Sequence, residues 1–247
     1  MKTAVAAGVD ASSGIADRVA ARDWRSAAEQ LDRRGWTILE GLLTAGECAG
    51  LADLYGEDAR FRSRIEMARH GFGSGEYKYF AYPLPETVAE LRKSLFPRLA
   101  PIADRWNQAL RIPVRHPDTL DEYLQRCHAA GQKRPTPLVL RYGAGDYNRL
   151  HQDLYGEHVF PIQVTVLLSQ PGEDFAGGEF VLTEQKPRTQ SRATVVPLRR
   201  GDAVAFAVND RPVEGRRGFF RVKMRHGVSE LRSGERYTLG VIFHDAR

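Results

Sequence analysis

The stretch RYGAGDYNRLHQDLYGEHVFPIQVTVLLS, residues 141–169, joins a glycine-punctuated turn to His151-Gln152-Asp153 and then to an apolar, strand-like run. Residues two apart in an extended segment project to the same side, so His151 and Asp153 can converge on one point. An imidazole and a carboxylate meeting at the mouth of a strand suit a metal ion. The pair alone decides little, because the histidines and aspartates of this chain yield roughly 0.4 such pairs by chance.

Its company lies downstream. His226 falls in a β-like run, and RSGERYTLGVIF opens a further strand with Arg236, ten residues after that histidine. The composite reads His151-x-Asp153, then His226, then Arg236-x-Thr238. Two imidazoles and one carboxylate leave coordination positions open, which is what non-haem Fe(II) needs to hold a co-substrate and O2 together. Iron also needs electrons. A keto acid such as 2-oxoglutarate supplies two by losing CO2, chelating the metal through its 1-carboxylate and keto oxygen. Its far carboxylate needs a buried cationic fork, and a guanidinium grips a carboxylate bidentately. Arg236, with the Thr238 hydroxyl, fits that part. A zinc-bearing cupin-like barrel is the alternative, and the downstream arginine weighs against it.

Outward from this core the chain changes texture. From Pro135 onward it consists of short β-branched runs separated by turn residues: PLVLRY, FPIQVTVLLS, GGEFVLT, ATVVPL, DAVAFAV, FFRVKMRHGVSEL and RYTLGVIF. Before it, DWRSAAEQLDRR (23–34) has helical spacing and a stop at Gly35, WTILEGLL leaves as a strand, and Thr44 with Glu47 makes a capping-box start for a second helix. Residues 57–82 lack a clean period and read as a surface loop or β-ribbon on the substrate side. The long helical stretch ETVAELRKSLFPRLAPIADRWNQAL is expected to kink or split at Pro97 and Pro101. The fold class is therefore α+β: a double-stranded β-helix of jelly-roll or cupin-like type, with N-terminal helices packed on one sheet. A single domain over 1–247 is expected, with 1–134 a mainly helical front and 135–247 the jelly-roll core.

At this point the sequence resembles the 2-oxoglutarate/Fe(II)-dependent dioxygenase superfamily over roughly residues 135–247. The segment RYGAGDYNRLHQD is similar in spacing to the AlkB-type nucleic-acid dealkylases, and Gly177-Gly178 with the Arg236-Tyr237 strand is similar to prolyl-hydroxylase-type members. The resemblance implies His151, Asp153 and His226 as iron ligands and Arg236, Thr238 and Tyr142 as 2-oxoglutarate contacts, the Tyr142 hydroxyl donating to the keto acid. It implies Fe(II), 2-oxoglutarate and O2 as the reaction's requirements. The chain departs from the AlkB pattern where Thr238, Gly240 and Ile242 follow Arg236 at alternate positions, and where Leu140 precedes Tyr142.

Two segments suggest a substrate. NDRPVEGRRGFFRVKMR carries Arg211, Arg216, Arg217, Arg221, Lys223 and Arg225 against Asp210 and Glu214, next in sequence to His226. GFGSGEYKYFAY offers Tyr77, Tyr79, Phe80 and Tyr82 for stacking on a splayed base, with Lys78 beside them. Tyr77, Tyr79, Arg221 and Arg225 are the candidate substrate contacts, and the roles of Tyr147 and Gln163 stay open. The leading expectation is oxidative demethylation of an alkylated DNA or RNA base. Hydroxylation of a protein or peptide side chain is the second, and a vestigial nucleic-acid-binding barrel the third. The partner is then a nucleic acid or an acidic peptide, consistent with a formal charge of +5.

The remaining features exclude more than they assign. No apolar run approaches the ~18 residues of a membrane span, so no membrane partner is expected. Asp10, Ser12, Ser13 and Asp17 interrupt any signal-peptide core, and Cys48 and Cys127 lack metal or redox spacing. These point to a cytoplasmic protein.

Overall fold

The computed structural model describes residues 13–154 and 156–247, so most of the stretch weighed against a signal peptide lies outside the described residues. Among the described residues the α-helices are α1 (Ile15–Ala20), α2 (Trp24–Arg34), α3 (Ala45–Asp53), α4 (Glu86–Ala109) and α5 (Leu120–Ala129). The Asp23 carboxylate accepts from the Ser26 N–H to start α2, and Gly35, at φ 80°, closes it in the left-handed conformation that glycine tolerates. Thr44 and Glu47 form the reciprocal capping box at the start of α3. Among the described residues no helix is long and apolar enough to cross a membrane.

The strands are β1 (Trp36–Leu39), β2 (Phe61–Glu66), β3 (Gly73–Ser74), β4 (Glu76–Phe80), β5 (Leu138–Tyr142), β6 (Tyr147–His151), β7 (Ile162–Leu167), β8 (Phe175–Gly177), β9 (Phe180–Gln185), β10 (Arg192–Val196), β11 (Ala203–Ala207), β12 (Asp210–Gly215), β13 (Gly218–Val228), β14 (Leu231–Gly234) and β15 (Arg236–Val241). A major antiparallel sheet runs β1-β11-β7-β15-β5-β4-β2, and a minor one runs β10-β9-β13-β6-β3 with β12 paired to β13. The two form the jelly-roll core of an α+β fold. Strand β7 is buried at every position, as expected for a strand covered on both faces. Its Ile162, Val164 and Val166 pack with α4 and α5 residues such as Leu95, Leu99 and Tyr123, while Leu167, Val204, Phe206, Phe180 and Leu182 fill a second core.

Three sequence expectations are refined. Residues 57–82 are a β-ribbon built into the edge of the major sheet through β4 and β5, not a free loop. Helix α4 runs unbroken through Pro97 and Pro101. Both prolines lie on its exposed face, one turn apart, so the carbonyls they leave unbonded meet solvent while Leu95, Phe96, Leu99 and Ile102 hold the buried face together. The basic segment 210–225 is a hairpin, and its Arg211 is buried, donating to Glu184 at 2.8 Å and to the Asp32 carbonyl at 3.1 Å.

A buried polar cluster fixes the segment after β15. His244 is 1% exposed, and its Nδ1 accepts from the Phe160 N–H. Burial, then the Arg92 charge, pulls its imidazole down to about 4. Because the folded value lies below the ordinary one, the unfolded chain takes up the proton first, and stability present above about pH 6.5 is lost as pH falls toward 4. The loss amounts to roughly 3 kcal/mol at its limit. Urea midpoints at pH 7 and pH 5 should differ less in His244→Asn, whose amide oxygen can keep the Phe160 bond; an equal acid loss in both proteins would assign the effect elsewhere.

Candidate metal centre and its cavity

His226 and His151 are direct cross-strand partners on β13 and β6, which brings their rings to 4.2 Å between centroids. Asp153 follows β6 by two residues and turns its carboxylate between them, Oδ1 lying 3.5 Å from His151 Nε2 and Oδ2 3.4 Å from His226 Nε2. One ligand atom from each lies within 4.8 Å of the others. Donors bound at ~2.1 Å to one ion stand about 3.0–3.4 Å apart, so these atoms need little movement to close on a metal. His151 Nδ1 donates to the Arg149 carbonyl at 2.7 Å, which leaves the Nε2 lone pair of the neutral ring facing the carboxylate. His226 is walled by Phe206 and Phe180, and its Nδ1 is buried without a partner among the described residues.

The electrostatics suit a cation. Burial pushes the Asp153 carboxyl up, but the hydrogen bonds and charges of the two imidazoles outweigh it and hold the group well below the usual carboxylate range. Burial lowers His151, and Asp153 more than compensates, leaving that imidazole above its ordinary value. His226 lies below its own, through burial and then the His151 charge. Asp153 is thus ionised at neutral pH, and a metal bound there would displace any proton held on the imidazoles.

Across the cavity, Arg236 opens β15 on the opposing sheet, in register with Tyr142 of β5. It is 1% exposed and burial pulls its guanidinium down to about 10, which still leaves it charged at neutral pH. One arm donates to Thr238 Oγ1 at 2.6 Å, while Nε is buried without a partner and no carboxylate lies within 4 Å among the described residues. A buried, uncompensated cation is costly, so a fold that keeps one prepares a seat for an anion. Gly178, at φ 61°, makes room for it: a Cβ there would stand 3.1 Å from Arg236 Cδ and 2.4 Å from Leu231 Cδ1.

The same cavity is lined by Tyr142, Asn148, Gln163 and Thr165. Tyr142 is fully buried and its hydroxyl accepts from Asn148 Nδ2 at 3.3 Å. Asn148 escaped sequence reading because its strand looked like a turn. Gln163, whose role the sequence left open, does line the cavity, and its Oε1 is buried without a partner among the described residues; Thr165 could have been found with it, as a polar alternate of an otherwise apolar run. Tyr147 does not line the cavity, pairing instead with Ser74.

Of the aromatic ribbon, only Tyr77 and Tyr79 line the cavity, set edge to face at 5.4 Å with Arg62 over the Tyr79 ring. Their neighbours alternate away: Lys78 donates to Asp58 and the Tyr55 carbonyl, and Phe80 is sealed among the helices. Arg221 and Arg225 are not brought to the cavity. They stand at odd offsets from His226 on a run of β13 that pairs without a bulge against β12 and then β9, so they project from the other face. Arg221 instead pairs with Asp210 at 3.3 Å.

Comparison with known proteins agrees with this geometry. Residues 75–246, more than half of the chain, match the family described as "Oxygenase, catalysing oxidative methylation of damaged DNA". Two uncharacterized proteins from strains of Mycobacterium tuberculosis are each 52% identical over 167 residues, covering 68% of this chain and 72% of the relative. A prolyl hydroxylase from Trichoplax adhaerens, solved with a hypoxia-inducible-factor peptide fragment, aligns at TM-score 0.54 and 15% identity over 90% of this chain and 89% of that one. The non-heme alpha-ketoglutarate-dependent epimerase SnoN of nogalamycin biosynthesis aligns at 0.54 and 17% identity over 88% and 80%. At these identities the two solved structures share the fold.

Proposed function

We propose that this chain, which belongs to the oxygenase family described for damaged DNA, is a 2-oxoglutarate-dependent non-haem iron dioxygenase that removes methyl groups oxidatively from alkylated nucleic-acid bases. The observation that carries the oxygenase chemistry is the pairing of an open two-histidine, one-carboxylate face with a buried guanidinium that has no carboxylate within 4 Å among the described residues. Zinc sites give no reason to hold such a cation; a dicarboxylate co-substrate does.

When bound, iron and 2-oxoglutarate supply the oxidation, two of the four electrons that O2 takes up coming from decarboxylation of the keto acid and two from the substrate C–H bond. The chain's own residues do the rest. His151, Asp153 and His226 hold the metal on the minor sheet, and the Arg236 fork with the Thr238 hydroxyl seats the far carboxylate under the major sheet. The Tyr142 hydroxyl and the Asn148 amide face the same space and can orient the co-substrate. Phe180 and Phe206 keep water from the His226 side. Tyr77 and Tyr79 present rings to the cavity against which a flipped base can stack. A base N-methyl carbon hydroxylated there gives a hemiaminal, which loses formaldehyde and leaves the unmodified base.

His151→Ala is expected to lower iron-dependent conversion of 2-oxoglutarate to succinate by more than about 100-fold, since even residues that only support a metal ligand are worth 10–100-fold. Formaldehyde release from methylated single-stranded DNA, with none from peptides, is the result the substrate assignment expects. A +16 mass shift on a peptide with no formaldehyde from the oligonucleotide would replace it with a peptide hydroxylase.

A further inference from the structure

Outside the cavity, two surface grooves share Leu110 and Arg221 and so adjoin, making one surface channel of two parts. Its near end begins at Leu154, the residue after Asp153, and is apolar, with Leu154 and Val114 standing 48% and 47% exposed. Its far end lies between the last turn of α4 and the tip of the β12–β13 hairpin, where Arg105, Arg111, Arg217 and Phe219 line it. Phe219 is 53% exposed. Along β13, Arg221, where the two grooves meet, stands five residues from His226, roughly 17 Å of strand, and Phe219 stands seven, roughly 24 Å.

The charges of the channel are unequally matched. Arg105 and Arg221 each have one acid, Asp32 at 3.1 Å and Asp210 at 3.3 Å. Arg111 and Arg217 have no carboxylate within 4 Å among the described residues, and Glu214, the hairpin's other acid, lies across the ladder from Phe219. Guanidiniums alone would make an ordinary solvated face. An exposed phenyl ring set among them, beside an apolar groove that reaches Leu154, the residue after Asp153, suits a chain that carries both anionic linkages and flat rings. A nucleic acid repeats an anion and a flat ring at every unit, whereas an acidic peptide pairs the two only where an aromatic residue happens to fall.

We propose that this channel is the track that holds the nucleotides flanking the target base, guanidiniums of Arg111 and Arg217 on phosphates and the Phe219 ring against a base. The inference rests on the nucleic-acid reading above and adds where the strand lies. It also gives the hairpin's arginines a task that the cavity does not.

The test is fluorescence anisotropy with a labelled single-stranded oligonucleotide free of lesions, about 20 nucleotides long to exceed one stacking site, titrated at several salt concentrations. The wild-type protein should bind with a negative slope of log affinity against log salt, about 0.7 for each phosphate neutralised. Arg111→Gly combined with Arg217→Glu should weaken binding at least tenfold and flatten that slope by about 1.4. Glycine suits the φ of 57° at position 111, and an unchanged unfolding midpoint certifies the fold. Phe219→Ala should weaken binding about 5-fold or more while keeping the slope. If the double variant binds as tightly as wild type and methylated oligonucleotide is still demethylated, the track is wrong and the functional reading stands. If wild type binds no oligonucleotide and acts only on peptides, both fall. Equal competition by polyglutamate would overturn the track in favour of an acidic-peptide surface.

Discussion

Arg236→Met is expected to raise the KM for 2-oxoglutarate at least about 100-fold, because two charge-assisted hydrogen bonds of about 1.5–3 kcal/mol each are lost together. The same substitution should leave the ligand-free protein as stable as wild type or more so. The guanidinium is buried beside Tyr142 and Phe175, among the described residues only Thr238 accepts from it, and replacing a buried charge with no carboxylate in contact by an apolar side chain of similar length removes a desolvation cost. Two measurements thus move in opposite directions: the 2-oxoglutarate concentration at half-maximal succinate formation rises, while the thermal midpoint without co-substrate holds or climbs. A structural arginine would behave otherwise. An unchanged KM with a lowered midpoint would remove Arg236 from the co-substrate site.

Arg92→Ala should destabilise the protein by about 3–5 kcal/mol, the range for breaking a buried ion pair from one side. Arg92 and Asp245 are 1% and 0% exposed in their side chains and meet at 3.1 Å. Arg92 also donates to the Ile242 and Phe243 carbonyls at 2.9 Å each, which pins the segment after β15 to α4. Tyr82 and His128 both reach the second oxygen of Asp245, at 2.8 and 2.9 Å. Alanine would leave this carboxylate buried with weaker partners and take the guanidinium donors from two backbone carbonyls. The urea midpoint should fall sharply with the slope unchanged. Adding Asp245→Asn should recover part of the loss, because the stranded charge is then gone; a loss below about 1 kcal/mol for Arg92→Ala would show that the cluster is solvated in solution.

How much of this was legible beforehand depended on whether the determinant was local. The caps of α2 and α3 are written within four residues, and each of the seven β-branched runs contains a strand, β7 and β11 being buried at every position as such residues allow. The His151, Asp153 and His226 cluster was legible because period-2 geometry and a strand context restrict where side chains can meet. Position across the sheet was not. That Arg211 faces Glu184 while Arg221 and Arg225 face solvent follows from a parity set by β9 and β13 pairing, which no local pattern announces. Helix α4 shows the reverse: its two prolines are a strong local stop, overridden by an apolar face long enough to bury the helix regardless.

The placement of the metal residues on one sheet and of Arg236 on the other has a mechanical consequence. A dicarboxylate gripped at both ends would work as a rivet through the sandwich, coupling layers that otherwise touch only through side chains. Amide protons of β13 and β15 should then exchange more slowly together, not separately, once metal and keto acid are both present, and the protein's resistance to prying apart would report how fully it is loaded.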